Sequence, residues 1–205
     1  MSDNNASQIK YDVFVSFRGE DIRRGFLSHL IDNFQREKVN VFVDDKLKRG
    51  DEIWPSLVGA IQGSSISLII FSQDYASSHW CLEELVTILE CREKHGQIVI
   101  PIFYHVDPTH VRHQLGSYKI AFVDNGRKYK TRVQIWRHAL KKSANLSGIE
   151  SSKFRNDAEL LKEIVKLVLM RLDKLWLTQK DSLELTKYNC RCRIIHTQRA
   201  KRQPT

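Results

Sequence analysis

Trp80 and Glu84 lie four residues apart in the stretch SISLIIFSQDYASSHWCLEELVTILEC, and that spacing puts an aromatic and a carboxylate on one helical face. SISLIIF reads as a strand buried on both sides, because its bulky and β-branched residues run on without polar alternation. SQDYASSH is a polar connection, and WCLEELVTILEC has helical periodicity, with Ser77 or Ser78 available to cap its first amides. Cys81, Leu85 and Ile88, flanked by Leu82 and Leu89, form a buried stripe offset from the Trp80–Glu84 face. A strand, a loop and then a helix opening on these two residues is where an open α/β sheet places its ligand crevice. Glu84 is therefore the leading candidate for chemistry. A glutamate on a first turn otherwise only complements the helix dipole, and Trp80 otherwise only covers the sheet edge.

Other chemistries lack their residues. No GxGxxG follows the first strand, no GxxxxGK[ST] offers a phosphate cradle, and no GxSxG serine elbow is present. Cys81 falls on the helix stripe and reads as a buried structural thiol. Cys190 and Cys192 lack two well-spaced partner ligands, and His105, His110 and His113 read as loop or interface histidines rather than a metal set. What remains is a single carboxylate. Arg18, Arg23 and Arg24 can approach its crevice from the end of the first strand, and Lys46, Lys48 and Arg49 from the end of the second.

The elements that must position these residues alternate along the chain. YDVFVSF (11–17) is a strand, and IRRGFLSHLIDNFQRE a helix whose apolar face is Ile22, Phe26, Leu30 and Phe34, backed by Leu27 and Ile31. VNVFVD (39–44) is the second strand, followed by the charged loop DKLKRGDE and the short helix EIWPSLVGAIQG. The fourth strand, QIVIPIFY (97–104), contains Pro101, which argues for an edge position or a local irregularity. HVDPTHVRHQLGSYKIAF is a long loop leading into a short helix. A helix over roughly 127–145, a weak last strand in LSGIESSKF and a helix over about 157–175 complete the order β-α-β-α-β-α-β-α-α-(β)-α. Short connections and right-handed crossovers make that a parallel sheet covered on both faces.

The 205 residues suit one domain with something appended, and 41% hydrophobic with 28% charged residues supplies a core and a soluble surface. The opening MSDNNASQIK has no apolar run, so no signal peptide is expected, and runs such as IVIPIF are too short to span a bilayer. Four cysteines do not form a disulfide pattern, which favours a reducing, intracellular setting. The net charge of +9 is concentrated at the end, where KYNCRCRIIHTQRAKRQPT carries six Lys or Arg and no acid. That segment reads as a solvated tail, with nucleic acid or an anionic membrane as the alternative partner.

At this level of detail the chain becomes specific. YDVFVSFRGED followed by FLSHL, VFVDDKLKRGDEI, SISLIIFSQDYASSHWCLEEL and IVIPIFYHVDPTHVRHQLGSY together closely resemble plant TIR domains. The resemblance implies a flavodoxin-like, three-layer α/β fold with a parallel five-stranded sheet in 2-1-3-4-5 order and helices on both faces. It divides the chain into a disordered N-terminus (1–8), a TIR domain (9–175) and a basic, flexible C-terminal tail (176–205). Plant TIR domains are immune signalling modules, usually N-terminal in nucleotide-binding leucine-rich-repeat receptors. The expected identity is thus a TIR-only protein or a truncated receptor product, in the cytoplasm or also the nucleus.

The resemblance further implies NAD+ nucleosidase activity by self-associated domains, with NAD+ or NADP+ as substrate and no tightly bound cofactor or metal. It makes Glu84, not Glu83, the catalytic acid. Arg18, Gly19 and Trp80 stand beside the nucleotide, as do Asp45, Lys48, Arg49, Gly50 and Ile53 of the loop after the second strand. One self-association surface centres on Ser28 and His29 and is completed by the last helix. The other opens the helix after the fourth strand at Gly116 and Tyr118. Homo-oligomers and hetero-association with other TIR-containing immune receptors follow. Gly25 stands where many relatives carry threonine. Two other readings are a non-enzymatic TIR adaptor or decoy, and a nucleic-acid-processing synthetase of 2′,3′-cyclic nucleotides.

The chemistry fits one carboxylate. Nicotinamide in NAD+ is already a cationic leaving group that needs no proton, unlike the leaving groups for which ordinary glycosidases pair two acids. Positive charge develops on the ribose as the bond breaks, and an anionic Glu84 stabilises it or holds the ribose hydroxyls. Trp80 offers a flat surface to a ring, and Arg18 a charge-assisted donor to phosphate.

Overall fold

Strands form where the apolar runs lie, and all five pair in parallel. The computed structural model describes residues 10–43 and 53–200, the side chains at 179 and 181–200 excepted. β1 (Tyr11–Phe17), β2 (Val41–Phe42), β3 (Ser64–Phe71), β4 (Ile98–Phe103) and β5 (Ile149–Glu150) build one sheet in the order β2-β1-β3-β4-β5. Its central register sets Ser16 of β1 opposite Ile69 of β3, and Ile69 opposite Pro101 of β4. This is the expected 2-1-3-4-5 sheet.

Between the strands run α1 (Gly19–Ile22), continued through a π-helical turn (Arg23–Leu27) into α2 (Ser28–Arg36), then α3 (Ile53–Gln62) and α4 (His79–His95). After β4 come α5 (Pro108–His113), α6 (Ser117–Lys128) and α7 (Val133–Ser143), and after β5 comes α8 (Asp157–Ala200). Side-chain alternation along the strands separates two buried layers. Phe14, Ile69, Phe71, Val99 and Phe103 pack with α3, α4, α6 and α7. Val13, Val15, Leu68, Ile70, Ile100 and Ile102 lie on the opposite face, with Phe26, Leu27, Leu30 and Phe34 of the first helix and the opening turns of α8.

Several elements differ from the sequence expectation. β2 pairs over two residues instead of 39–44, although the flanking Val39 and Val43 remain buried; Asp44 lies outside the described residues. The first helix begins three residues early and contains a π turn around Gly25, where an added Cβ would meet open space. Between β4 and α7 there are two helices, not one. The additional α5 carries a legible signal, because Asp107 caps it by accepting from the Thr109 amide at 2.6 Å and Pro108 occupies the first turn. That amide holds the Asp107 carboxyl below its ordinary range. Pro101 sits one strand in from the edge, on an interior strand whose outer partner, β5, is only two residues long.

The backbone falls into two compact units, 1–165 and 166–205, and the helical backbone of α8 runs from Asp157 to Ala200. Among the described residues no helix is long and apolar enough to cross a membrane.

Gly148 passes so close to β4 that a Cβ there would stand 2.5 Å from the Pro101 carbonyl oxygen and 2.8 Å from its ring. The neighbour is backbone and cannot swing away. Gly148→Ala should therefore destabilise the domain by about 1–3 kcal/mol, the usual cost of overpacking, and urea denaturation would read it. An unchanged midpoint would show that β5 can move off Pro101.

Candidate active site

The carboxyl ends of β1 and β3 meet the start of α4, and the polar side chains gather there. Ser78 caps α4, its hydroxyl accepting from the Cys81 amide at 3.4 Å, and Gly96 ends it in a left-handed conformation with φ of 69°. Starting the helix at His79 places Glu84 over the end of β1. Ser16, wholly buried on the face of β1 that looks toward α4, donates its hydroxyl to Glu84 Oε2 at 2.7 Å. The Tyr75 hydroxyl lies 2.9 Å from Ser16 Oγ and 2.9 Å from the Cys81 carbonyl oxygen. Burial, then the charges of Cys81 and Glu84, push the Tyr75 phenol well above its ordinary range, so it stays a neutral donor. Glu84 itself is only 8% exposed.

Outside this buried cluster is an aromatic rim. Trp80 is 45% exposed, with its ring centroid 6.0 Å from that of Trp54 and 4.9 Å from His79. His79 in turn stacks on Tyr129 at 5.1 Å. Ile53, the first residue of α3, is exposed beside Trp54. Trp80 and Glu84 thus occupy different depths of one helical face, the indole at the rim and the carboxyl below it.

The cationic side is already engaged. Arg18, directly after β1, pairs with both Glu20 and Asp21. Burial lowers its pKa, but the hydrogen bond it donates to Asp21 and the charges of Asp21, Glu20 and Asp74 outweigh that, so the guanidinium is held firmly charged. Asp21 also accepts from the Ser72 hydroxyl at the end of β3, tying the two strand ends together. Gly19 gives Arg23 room, since a Cβ there would come within 2.8 Å of its guanidinium, and that group sits 5.0 Å above the Phe17 ring. The expected contacts at Asp45, Lys48, Arg49 and Gly50 lie outside the described residues, as does Lys46.

The two surfaces expected to self-associate are differently exposed. Ser28 and His29 are exposed, and the Ser28 hydroxyl donates to the Gly25 carbonyl at 2.7 Å. Gly116 begins the α6 turn with φ of 57° and is exposed. Tyr118 corrects the expectation: it is fully buried, and its hydroxyl donates to the Ser72 carbonyl at 2.8 Å. Its ring fills the core, so it cannot touch a neighbour. The exposed apolar side chains of this region are Leu115, Ile120 and Val123.

The neighbouring acid has a separate task. Glu83 accepts from Arg132 Nε at 2.7 Å, from Arg132 Nη2 and from the Trp136 indole at 3.1 Å, locking α4 to α7. The hydrogen bond to Glu83 also raises the Arg132 pKa. Among the described residues no group of three or more His, Cys, Asp or Glu is placed to hold a metal. A shallow cleft of about 380 Å³, lined by His105, Asp107, Glu150 and Ser151 among others, contains none of the expected site residues.

A parallel sheet in this order, with helices on both faces, defines the flavodoxin-like class. Within that class the chain belongs to the TIR family: the profile described as TIR domain matches residues 10–189. It is 47% identical over 162 residues to the disease resistance protein RPV1 of Vitis rotundifolia, covering 79% of this chain and 12% of that protein. With the TMV resistance protein N of Nicotiana glutinosa it shares 44% identity over 186 residues, 89% of this chain and 16% of the relative. The chain thus spans less than a fifth of the length of these curated relatives. The TIR domains of the activated Roq1 resistosome, which directly recognises the pathogen effector XopQ, superpose with a TM-score of 0.74 at 43% identity, over 78% of this chain and 99% of that one.

Adjacent acids with separate roles should separate in stability. Glu83→Ala removes the acceptor of Arg132 and Trp136 and should cost roughly 1–2 kcal/mol, discounted for the partial exposure of Arg132. Glu84→Gln, which removes a buried charge and keeps the shape, should leave the melting temperature unchanged or raised. Thermal melts of both variants check this. An equal loss from both would mean that Glu84 is also a structural anchor.

Proposed function

We propose that this TIR domain is an NAD+ nucleosidase, hydrolysing the nicotinamide–ribose bond with Glu84 as the catalytic glutamate, in plant immune signalling. The observation that carries the reading is the Glu84 carboxyl, held by Ser16 at the carboxyl end of β1 beneath the exposed rim indole of Trp80. A carboxylate in a largely desolvated position acts on a developing oxocarbenium charge through a low dielectric, where its field is strongest. Trp80 and Trp54 present ring faces to a base or to nicotinamide. Arg18 reaches phosphate only if it exchanges an acid for it, so nucleotide binding includes breaking at least one of the Glu20 and Asp21 pairs.

Activity depends on assembly in this reading. Ile120 and Val123 are 67% and 53% exposed and lie one turn apart on α6, an apolar strip suited to a second TIR domain. Its helix is bonded to the turn between β3 and α4, with Ser117 donating to the Gln73 carbonyl, Tyr118 to that of Ser72 and Asn125 to that of Ala76 at 2.9 Å. A neighbour pressing on α6 therefore bears on the turn that carries Tyr75 and leads into Trp80. The exposed Ser28 and His29 supply the other surface, for copies of this chain or for TIR domains of receptors.

Nicotinamide release per subunit, followed over a concentration series, tests both parts. Wild type should rise in specific activity with concentration, Glu84→Ala should lose at least 100-fold of that activity, in line with losing a principal transition-state stabiliser, and Ile120→Asp should remain monomeric and slow. Equal release by wild type and Glu84→Ala removes Glu84 from the chemistry. No release by any assembled form leaves the adaptor reading.

A further inference from the structure

Three oxygen contacts run in series from Glu84 into the fold, and their protons can be counted. Glu84 Oε2 lies 2.7 Å from Ser16 Oγ, Ser16 Oγ 2.9 Å from the Tyr75 hydroxyl, and that hydroxyl 2.9 Å from the Cys81 carbonyl oxygen. Ser16 and Tyr75 each bring one hydroxyl proton. With Glu84 ionised, two protons serve three contacts: Ser16 donates to the carboxylate, and Tyr75 donates either to Ser16 or to the Cys81 carbonyl. With one proton on Glu84, all three contacts are filled, Glu84 donating to Ser16, Ser16 to Tyr75 and Tyr75 to the carbonyl. Either count fits the same heavy-atom positions.

We infer that Ser16 and Tyr75 are positioning residues for Glu84, forming a hydroxyl chain that supports the carboxyl group in both its ionised and its protonated state without displacement. The inference rests on the proposed NAD+ hydrolysis and deepens it. In that reaction the C1′–N bond breaks with its electron pair passing to the nicotinamide ring, which becomes neutral. Water forms the new C1′–O bond, and its surplus proton must leave. Ionised Glu84 first stabilises the ribosyl cation and then accepts that proton on its carboxyl group, and once the proton stands on Oε2 the chain holds three donors in place of two. Solvent later takes the proton and the chain returns. Charge stabilisation and general-base action thus fall to one side chain.

Both positions are buried for a reason that packing does not supply. Ser16 is the one aliphatic hydroxyl in the run YDVFVSF and lies at zero exposure, where an alanine would fill the space without a polar group. Tyr75 belongs to a 3-10 turn, Tyr75–Ser77, and packs its ring edge-on to Phe71 at 4.9 Å, so the hydroxyl end is held by an apolar wall.

The test combines kinetics with a spectroscopic signature on the full chain. Ser16→Ala should lower kcat about tenfold or more with KM changed less than about twofold, the effect of one hydrogen bond to a charged group. Tyr75→Phe should lower kcat less, and the double variant should be no slower than Ser16→Ala alone, because the two act through one chain. In protein labelled with 13C at the tyrosine ζ carbon, the Tyr75 resonance should move in Glu84→Gln as well as in Ser16→Ala. Multiplicative losses, a raised KM at constant kcat, or a Tyr75 resonance indifferent to Glu84→Gln would each overturn the chain. If wild type releases no nicotinamide, the hydrolase reading fails, and the resonance still decides whether the chain exists.

Discussion

A carboxylic acid near the middle of a protein must be held by something, because its charged form is costly away from water unless hydrogen bonds replace the lost hydration. Here the holding group is the Ser16 hydroxyl at the end of β1, and much of the local architecture follows from bringing the two together. β1 must expose Ser16 on the face toward α4, so its alternation places Phe14 on that face as well. Helix α4 must begin at His79, no later, and Ser78 supplies the cap that fixes the start. The turn between β3 and α4 must be tight enough to return Tyr75 under the helix, which it does with its hydroxyl against Ser16 and the Cys81 carbonyl.

Two acids next to each other in sequence show how sharply helix geometry divides labour. Successive residues on a helix point about 100° apart, so Glu84 turns toward the sheet end while Glu83 turns toward α7. The second acid meets Arg132 and the Trp136 indole, a charge-assisted set that fixes one helix to another. Trp136 is buried at 1% exposure, and its indole N–H needs a partner there. Glu83 is that partner, and the same bond that satisfies the core keeps the first turns of α4 from swinging away from the site.

The cationic edge is arranged as a competition. Arg18 is already neutralised by two acids, and one of them, Asp21, also holds the end of β3 through Ser72. An anionic ligand must therefore win the guanidinium from a carboxylate, and doing so loosens a tie between two strand ends. The same strand end, at Ser72, receives the buried Tyr118 of α6. A helix with an apolar outer strip, the turn that carries Tyr75 and the paired Arg18 are thus joined by short hydrogen bonds rather than by distance alone.

How much of this was readable in the residues varies by element. Hydrophobic period settled β1, β3, β4 and the buried stripe of α4, because each needs only a local pattern facing a core. The motif blocks located the family. Asp107 and Pro108 announced α5, a start signal that the surrounding polar residues obscured. The length of β2 was not legible, since pairing depends on how far the neighbouring strand runs beside it. Nor was the burial of Tyr118, whose ring enters the core only because α6 lies against the β3–α4 turn. Spacing brought Trp80 and Glu84 to one face of a helix, a short-range consequence of 3.6 residues per turn. The partners Ser16, Tyr75 and Arg132 come from residues far along the chain, and only folding of the strands and helices around one another could choose them.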